Sequence, residues 1–138
     1  MYLRAFKKAN CDVKIFHIYN IGKNLFYRFI WKFFRFLLFY QQRYRLQKYI
    51  KKNINKYDLI IIFKGLYLSK KFIINLKKIS YNSEFINIYP DDPFDKNYFS
   101  DISNKSLFKA LKYFDYIFIY SQKIKKKLKL TFSKNKII

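Results

Sequence analysis

Short apolar runs alternate along the chain with segments of helical periodicity, and the clearest instance lies between Asp58 and Asp95. Leu59–Phe63 and Phe85–Tyr89 are short runs of mostly β-branched and aromatic residues, the length and content of buried strands. Between them Phe72, Ile73, Leu76 and Ile79 recur at the spacing that gives a helix one apolar stripe, over Ser69–Ser80. Ser69 stands where its hydroxyl can accept from the first free N–H groups of that helix. Strand, helix, strand, with apolar residues on both strand faces, predicts a parallel βαβ unit.

The same alternation extends in both directions. Tyr2–Asn10 reads as a helix with Leu3 and Phe6 inward, stopped by Asn10, and Asp12–Tyr19 as a strand through Val13, Ile15 and Ile18. Leu25 to about Asn53 is helical in content. Its first half, Leu25–Tyr40, is nearly all apolar, with Arg28, Lys32 and Arg35 sharing one face; its second, Gln41–Lys56, reads as a polar, solvated helix or helix pair. Two readings of Leu25–Tyr40 stay open: an interfacial amphipathic helix, or a helix buried on a sheet whose basic stems reach solvent. Downstream, Pro93–Ser103 is a loop, and Ser103 or Asn104 is placed to cap a helix over Lys105–Tyr113. Tyr116–Tyr120 is a strand, Ser121 caps a basic helix to Thr131 with Ile124, Leu128 and Leu130 as its apolar members, and Lys136–Ile138 opens a further strand. The predicted fold is α/β: a Rossmann-like parallel sheet flanked by helices in a single domain. Because such a fold normally starts on a strand and this chain starts on a helix, the pattern also suggests that a first strand is lacking.

Composition changes this picture little. A chain of 138 residues with 51% hydrophobic and 23% aromatic residues has material for a core and is not a disordered tail. A net charge of +22 invites a nucleic-acid reading. However, Lys, Asn, Ile, Phe and Tyr are the residues that an AT-rich genome favours, and the positive charge is mostly Lys rather than the planar fork of Arg. Nucleic acid is therefore not the favoured partner. Cys11 stands alone, which excludes an intrachain disulfide, and Met1–Val13 has no apolar signal core. Together these suggest a cytoplasmic protein, with Leu25–Tyr40 as a candidate contact to the inner face of the membrane.

Candidate chemistry gathers after the two central strands. In a parallel sheet their carboxyl ends share one edge, where open α/β folds take their ligands. Lys64 and Gly65 follow the first strand; Tyr89, Asp91, Asp92 and Asp95 follow the second. Gly permits close backbone approach, Lys offers a point charge, and an aspartate at a strand end suits a general base. The plainer alternatives are a strand-to-helix turn for Lys64–Gly65 and a loop turn for Asp91, which could cap the backbone near Phe94. The acidic residues between Asp91 and Asp101 match no EF-hand spacing, so no metal is expected there, and no Gly-rich phosphate loop is present. His17 and Cys11 have no partners in sequence that suggest catalysis.

With these residues in place, the segments Asp58–Gly65, Ile86–Phe94 and Phe114–Ser121 resemble the amino-terminal half of the bacterial glycosyltransferases related to the spore-maturation protein CgeB. The pattern is an aspartate, an apolar strand and Lys-Gly; then a strand ending in an aromatic and Asp-Asp-Pro-Phe; then Asp-Tyr leading a further strand. The resemblance implies a GT-B architecture, in which this domain faces the acceptor and a second one binds the nucleotide sugar. It implies Asp92 and Asp91 as candidate catalytic carboxylates, and Lys64, Gly65, Tyr89 and Asp95 as substrate-binding residues. No resident cofactor or metal is implied; the partners are a nucleotide-sugar donor and a glycan acceptor. Set against that family, the chain lacks a first strand and the donor domain, so a split or incomplete enzyme is expected. The alternative function is a basic, aromatic-rich module binding nucleic acid or an anionic membrane, or an inactive fragment.

Overall fold

Four strands, all parallel and hydrogen-bonded in chain order, realise the predicted alternation of apolar runs and helical segments. The chain was described from a computed structural model, which covers residues 2–17, 25–54, 56–65, 68–90, 92, 94, 102–132 and 136–138. These fall into two compact units, Met1–Gln42 and Arg43–Ile138.

In the first unit, α1 (Tyr2–Lys8) ends as the sequence suggests. Asn10 takes a left-handed conformation (φ 59°), and the Cys11 N–H returns to the Phe6 carbonyl at 3.0 Å, which closes the helix end. The strand expected over Asp12–Tyr19 does not form where it is described: Cys11–His17 is irregular, and Ile15 is exposed. Alternating side chains make a strand only where a neighbouring backbone supplies hydrogen bonds, and no ladder reaches this segment. Helix α2 (Leu25–Lys52) covers the long helical stretch but breaks at Phe34 (φ −128°, ψ 30°), where neither Pro nor Gly marks the kink.

The part of α2 in the second unit, Arg43–Lys52, is not the solvated helix its polarity suggested. Leu46 and Ile50, one turn apart, are both buried. Past its end, the Asn53 amide donates to Tyr49 O at 2.8 Å, and the Tyr49 and Tyr57 rings stack with hydroxyls 3.0 Å apart.

The sheet follows: β1 (Leu59–Phe63), α3 (Lys70–Ile79), β2 (Glu84–Tyr89), α4 (Ile102–Leu111), β3 (Tyr116–Ile119), α5 (Gln122–Thr131) and β4 (Lys136–Ile137). Ser69 caps α3 as expected, its hydroxyl accepting from Phe72 N at 3.3 Å. Ser121 occupies the cap position of α5 without that side-chain bond. Helix α4 begins at Ile102, so Ser103 and Asn104 lie inside its first turn rather than capping it. Leu130, expected among the apolar members of α5, is exposed, while Ile124 and Leu128 are buried.

Register pairs Leu59 with Glu84 through Phe63 with Ile88, and Ile86 with Tyr116 through Tyr89 with Ile119. The face carrying Ile62, Phe85, Asn87, Tyr89, Ile117 and Ile137 is buried. Successive parallel crossovers that advance in one direction, each of the same hand, place their helices on one face. Accordingly α3 packs beside α4, with Ile73, Leu76, Leu107 and Leu111 fully buried. On the opposite face Ile61, Ile86, Ile88 and Phe118 are half-buried, and Leu59 and Phe63 are exposed. The strands are thus apolar on both faces, as read, but only one face is fully covered.

At the amino edge of the sheet, Asp115 ties three elements together. Its backbone N–H donates to Phe85 O at 2.9 Å, its carboxylate accepts from Phe85 N at 2.8 Å, and Lys77 of α3 closes an ion pair on the other oxygen. Asp115→Ala strands the Phe85 N–H and should lower unfolding stability by about 1–3 kcal/mol, whereas Lys77→Met, at a partly exposed pair, should cost about 1 kcal/mol or less. Urea midpoints measure both, and an Asp115→Ala cost equal to that of Lys77→Met would remove the backbone bond from this account.

Tyr113, just past α4, has Lys70 and Lys112 ammonium groups each 5.3 Å from its ring centroid. Hydrogen bonding from Lys70, then the charges of Lys112 and Lys70, hold its phenol below the usual value of 10.0. Such a lowered pKa adds stability that is fully present above the ordinary tyrosine value and is lost as pH falls through the lowered one. In an ultraviolet titration Tyr113 should ionise below the ordinary tyrosine value, and Lys70→Met should raise its midpoint toward that value.

Candidate functional site

The parallel register decides which corners meet. Phe63 at the end of β1 lies beside Ile88 near the end of β2, and the Lys64 N–H extends the ladder by donating to Ile88 O at 2.9 Å. Lys64–Gly65 and Tyr89–Pro90 therefore leave the sheet side by side at its carboxyl edge. Helices α3, α4 and α5 each follow a strand, so their amino ends open toward that edge, where helix dipoles favour negative or hydrogen-bond-accepting groups.

The Lys64–Gly65 corner is tight. Lys64 is left-handed (φ 58°), a conformation uncommon outside glycine, and the Gly65 N–H reaches back to Phe63 O at 2.6 Å across it. Gly65 is also left-handed (φ 75°), and a Cβ there would lie 2.9 Å from Ile62 Cγ2 and 3.1 Å from Leu68 Cδ1. Only glycine fits. Two successive residues with positive φ persist where surrounding bonds hold them, and such strain concentrates at binding and switch regions.

What holds the corner is Asn87, a residue that no motif singled out. Fully buried in the middle of β2, it donates through Nδ2 to Ile62 O at 3.1 Å and to Lys64 O at 3.3 Å. Both partners are carbonyls, so the amide cannot be turned over without setting oxygen against oxygen. The Oδ1 atom is left as a buried acceptor with no hydrogen-bond partner among the described residues. A signal existed in the sequence: Asn87 is the only polar residue in the run Phe85–Tyr89, on the same inward alternation as its two aromatic neighbours.

On the neighbouring corner, Tyr89 points into the core at 1% exposure, so its ring is a packing element beneath the edge. Asp92 is exposed, and its Oδ1 accepts from Phe94 N at 2.8 Å, the turn anticipated for Asp91. Phe94 anchors that turn, with its ring edge-on to Phe108 of α4 at 5.7 Å and the Lys127 ammonium of α5 5.4 Å from its centroid. Phe108 continues to Phe132 at 5.3 Å. The Asp-Asp-Pro-Phe sequence thus couples a solvent-facing carboxylate to an aromatic anchor two residues on. Asp91 and Asp95 lie outside the described residues. Of the predicted site residues, Lys64, Gly65, Tyr89 and Asp92 are placed by adjacent strand ends: Asp92 is exposed, Lys64 is half-buried, and Gly65 and Tyr89 are buried beneath the edge. The Asp of the Asp-Tyr motif, Asp115, belongs instead to the opposite edge. His17 and Cys11 are exposed in the first unit, and no group of three metal-ligating side chains occurs among the described residues.

Comparison with family models, curated proteins and solved structures returns no match.

Gly65→Ala forces a left-handed Cβ into Ile62 and should cost about 1–3 kcal/mol. Asn87→Ala removes the donor from two carbonyls at a comparable cost of about 1–3 kcal/mol, and Asn87→Asp, which sets a second oxygen against them, should cost at least as much. Chemical denaturation ranks the three; an Asn87→Asp variant as stable as the parent would contradict the assigned amide orientation.

Proposed function

We propose that the chain is the acceptor-side domain of a CgeB-like GT-B glycosyltransferase. One observation carries this reading: the strained Lys64–Gly65 corner and the Asp92 turn leave adjacent parallel strands at the same carboxyl edge. The likeness of Asp58–Gly65, Ile86–Phe94 and Phe114–Ser121 to that family supplies the reaction class.

In this reading an acceptor sugar binds over the edge, its hydroxyl groups facing Asp92 and the backbone of Lys64–Gly65. Asp92 takes the proton from the attacking hydroxyl as its oxygen bonds to the anomeric carbon of the donor sugar. The bond from that carbon to the diphosphate breaks, and the nucleoside diphosphate leaves with the electron pair. Lys64 supplies positive charge near the phosphates or near a sugar acid. Gly65 lets the chain turn tightly over Ile62 and Leu68 beneath that backbone, and Asn87 acts beside it as a positioning residue. Donor binding falls to a nucleotide-sugar domain supplied by the rest of such an enzyme.

Amide spectra of the ¹⁵N-labelled chain, recorded with a panel of saccharides and nucleotide sugars, test this directly. A saccharide should shift the Lys64, Gly65 and Asp92 amides, and Lys64→Ala should weaken its binding on the order of tenfold, the equivalent of about 1.4 kcal/mol. With the donor domain added, Asp92→Asn should keep saccharide binding but slow nucleoside diphosphate release by roughly 10²–10⁴-fold. No shift at this edge with any saccharide, or turnover indifferent to Asp92, would end the proposal.

A further inference from the structure

Helix α2 carries a second surface, independent of the sugar-transfer reading. Phe29 and Phe33, four apart before the break at Phe34, share one side of their helical segment, and Phe36, Leu37 and Tyr40, one and three apart after it, share one side of theirs. All five are more than half exposed, from 52% at Leu37 to 68% at Tyr40, while Phe39 on another side of the helix is buried at 3%. The helix therefore already uses a different face for packing. Phe29 and Phe33 meet each other with centroids 4.9 Å apart, so these two outward rings form one patch rather than isolated side chains. Single exposed apolar residues are ordinary; a contiguous aromatic stripe is a mark of an interaction surface.

Charge selects the occupant. Every charged residue of α2 is Lys or Arg, and no Asp or Glu occurs between Asp12 and Asp58. Lys32 lies beside the stripe with its ammonium 5.4 Å from the Phe33 ring, exposed and placed to extend toward an anion while its stem covers apolar surface. A second copy of the chain would set two wholly basic helices face to face, an arrangement that like-charge repulsion opposes. A nucleic-acid duplex would satisfy the charges but leave a phenylalanine and leucine stripe without an apolar partner. An anionic bilayer satisfies both, with phosphate headgroups for Lys and Arg and upper acyl chains for Phe, Leu and Tyr. No described helix is long and apolar enough to cross a membrane, so the fitting geometry is one in the plane of the surface.

We propose that the Phe29–Tyr40 face of α2 docks on the surface of an anionic phospholipid bilayer, aromatic side inward. Co-sedimentation of the full chain with vesicles tests it, using phosphatidylcholine alone and phosphatidylcholine mixed with phosphatidylglycerol across a salt series. The chain should sediment with the anionic vesicles, weakly with the neutral ones, and less as salt rises. A Phe29→Ser/Phe33→Ser/Phe36→Ser variant, altered only at exposed positions, should lose anionic-vesicle binding by roughly tenfold or more while its thermal unfolding is unchanged. Failure to bind anionic vesicles, or binding that the triple variant retains in full, would overturn the proposal. So would self-association in ultracentrifugation, or a gel shift with single-stranded RNA, that the same variant abolishes while vesicles stay unbound.

Discussion

The geometry of the candidate site depends on the parallel register between β1 and β2. Because Phe63 sits beside Ile88, the chain leaves both strands at one edge, and Asn87 comes level with the carbonyls of Ile62 and Lys64. Side chains alternate across a strand, so a slip of one residue would turn Asn87 to the other face of the sheet and leave the left-handed pair at Lys64–Gly65 unsupported. Register is set in turn by which residues are buried: Phe85, Asn87 and Tyr89 lie under the helices while Glu84 stays in solvent. One apolar alternation thus fixes both the core and the geometry of the candidate site.

The two edges of this sheet divide the polar work. At the amino edge, Asp115 combines backbone bonds and an ion pair with Lys77, which joins α3, β2 and β3. Those bonds are local, directional and close to buried backbone, the setting in which a carboxylate contributes most to stability. At the carboxyl edge the polar atoms are arranged differently: Asp92 is exposed, Lys64 is held in a rare backbone conformation, and the buried Asn87 Oδ1 has no partner among the described residues. The left-handed backbone and buried acceptor at one edge contrast with the tie that Asp115 makes at the other. Asp92 lies at the first edge and Asp115 at the second, so the two aspartates have separate physical roles.

Much of this was readable beforehand. β-Branched and aromatic runs located β1, β2 and β3 closely, and Ser69, Asn10 and the Phe72–Leu76 stripe marked helix ends and faces that the structure reproduces. Where the reading failed, the missing information was non-local. The alternation over Asp12–Tyr19 had the form of a strand, but no ladder reaches its described residues, Asp12–His17. The polar look of Arg43–Lys52 hid Leu46 and Ile50, two residues that suffice to bury a helix face once another surface is near. Asn87 looked incidental inside an apolar run, since its role is defined by carbonyls more than twenty positions away in sequence.

By itself the sequence determined the elements, their α/β class and the residues that end each central strand, because periodicity, capping and β-propensity act within a few residues. Tertiary structure alone decided that the strands run in chain order, that only one sheet face is fully covered, that Asp115 is a tie rather than a site residue, and that Asn87 holds the lysine–glycine corner. These outcomes depend on hydrogen bonds and burial between segments distant along the chain, and no local pattern encodes which distant backbone group will be the partner.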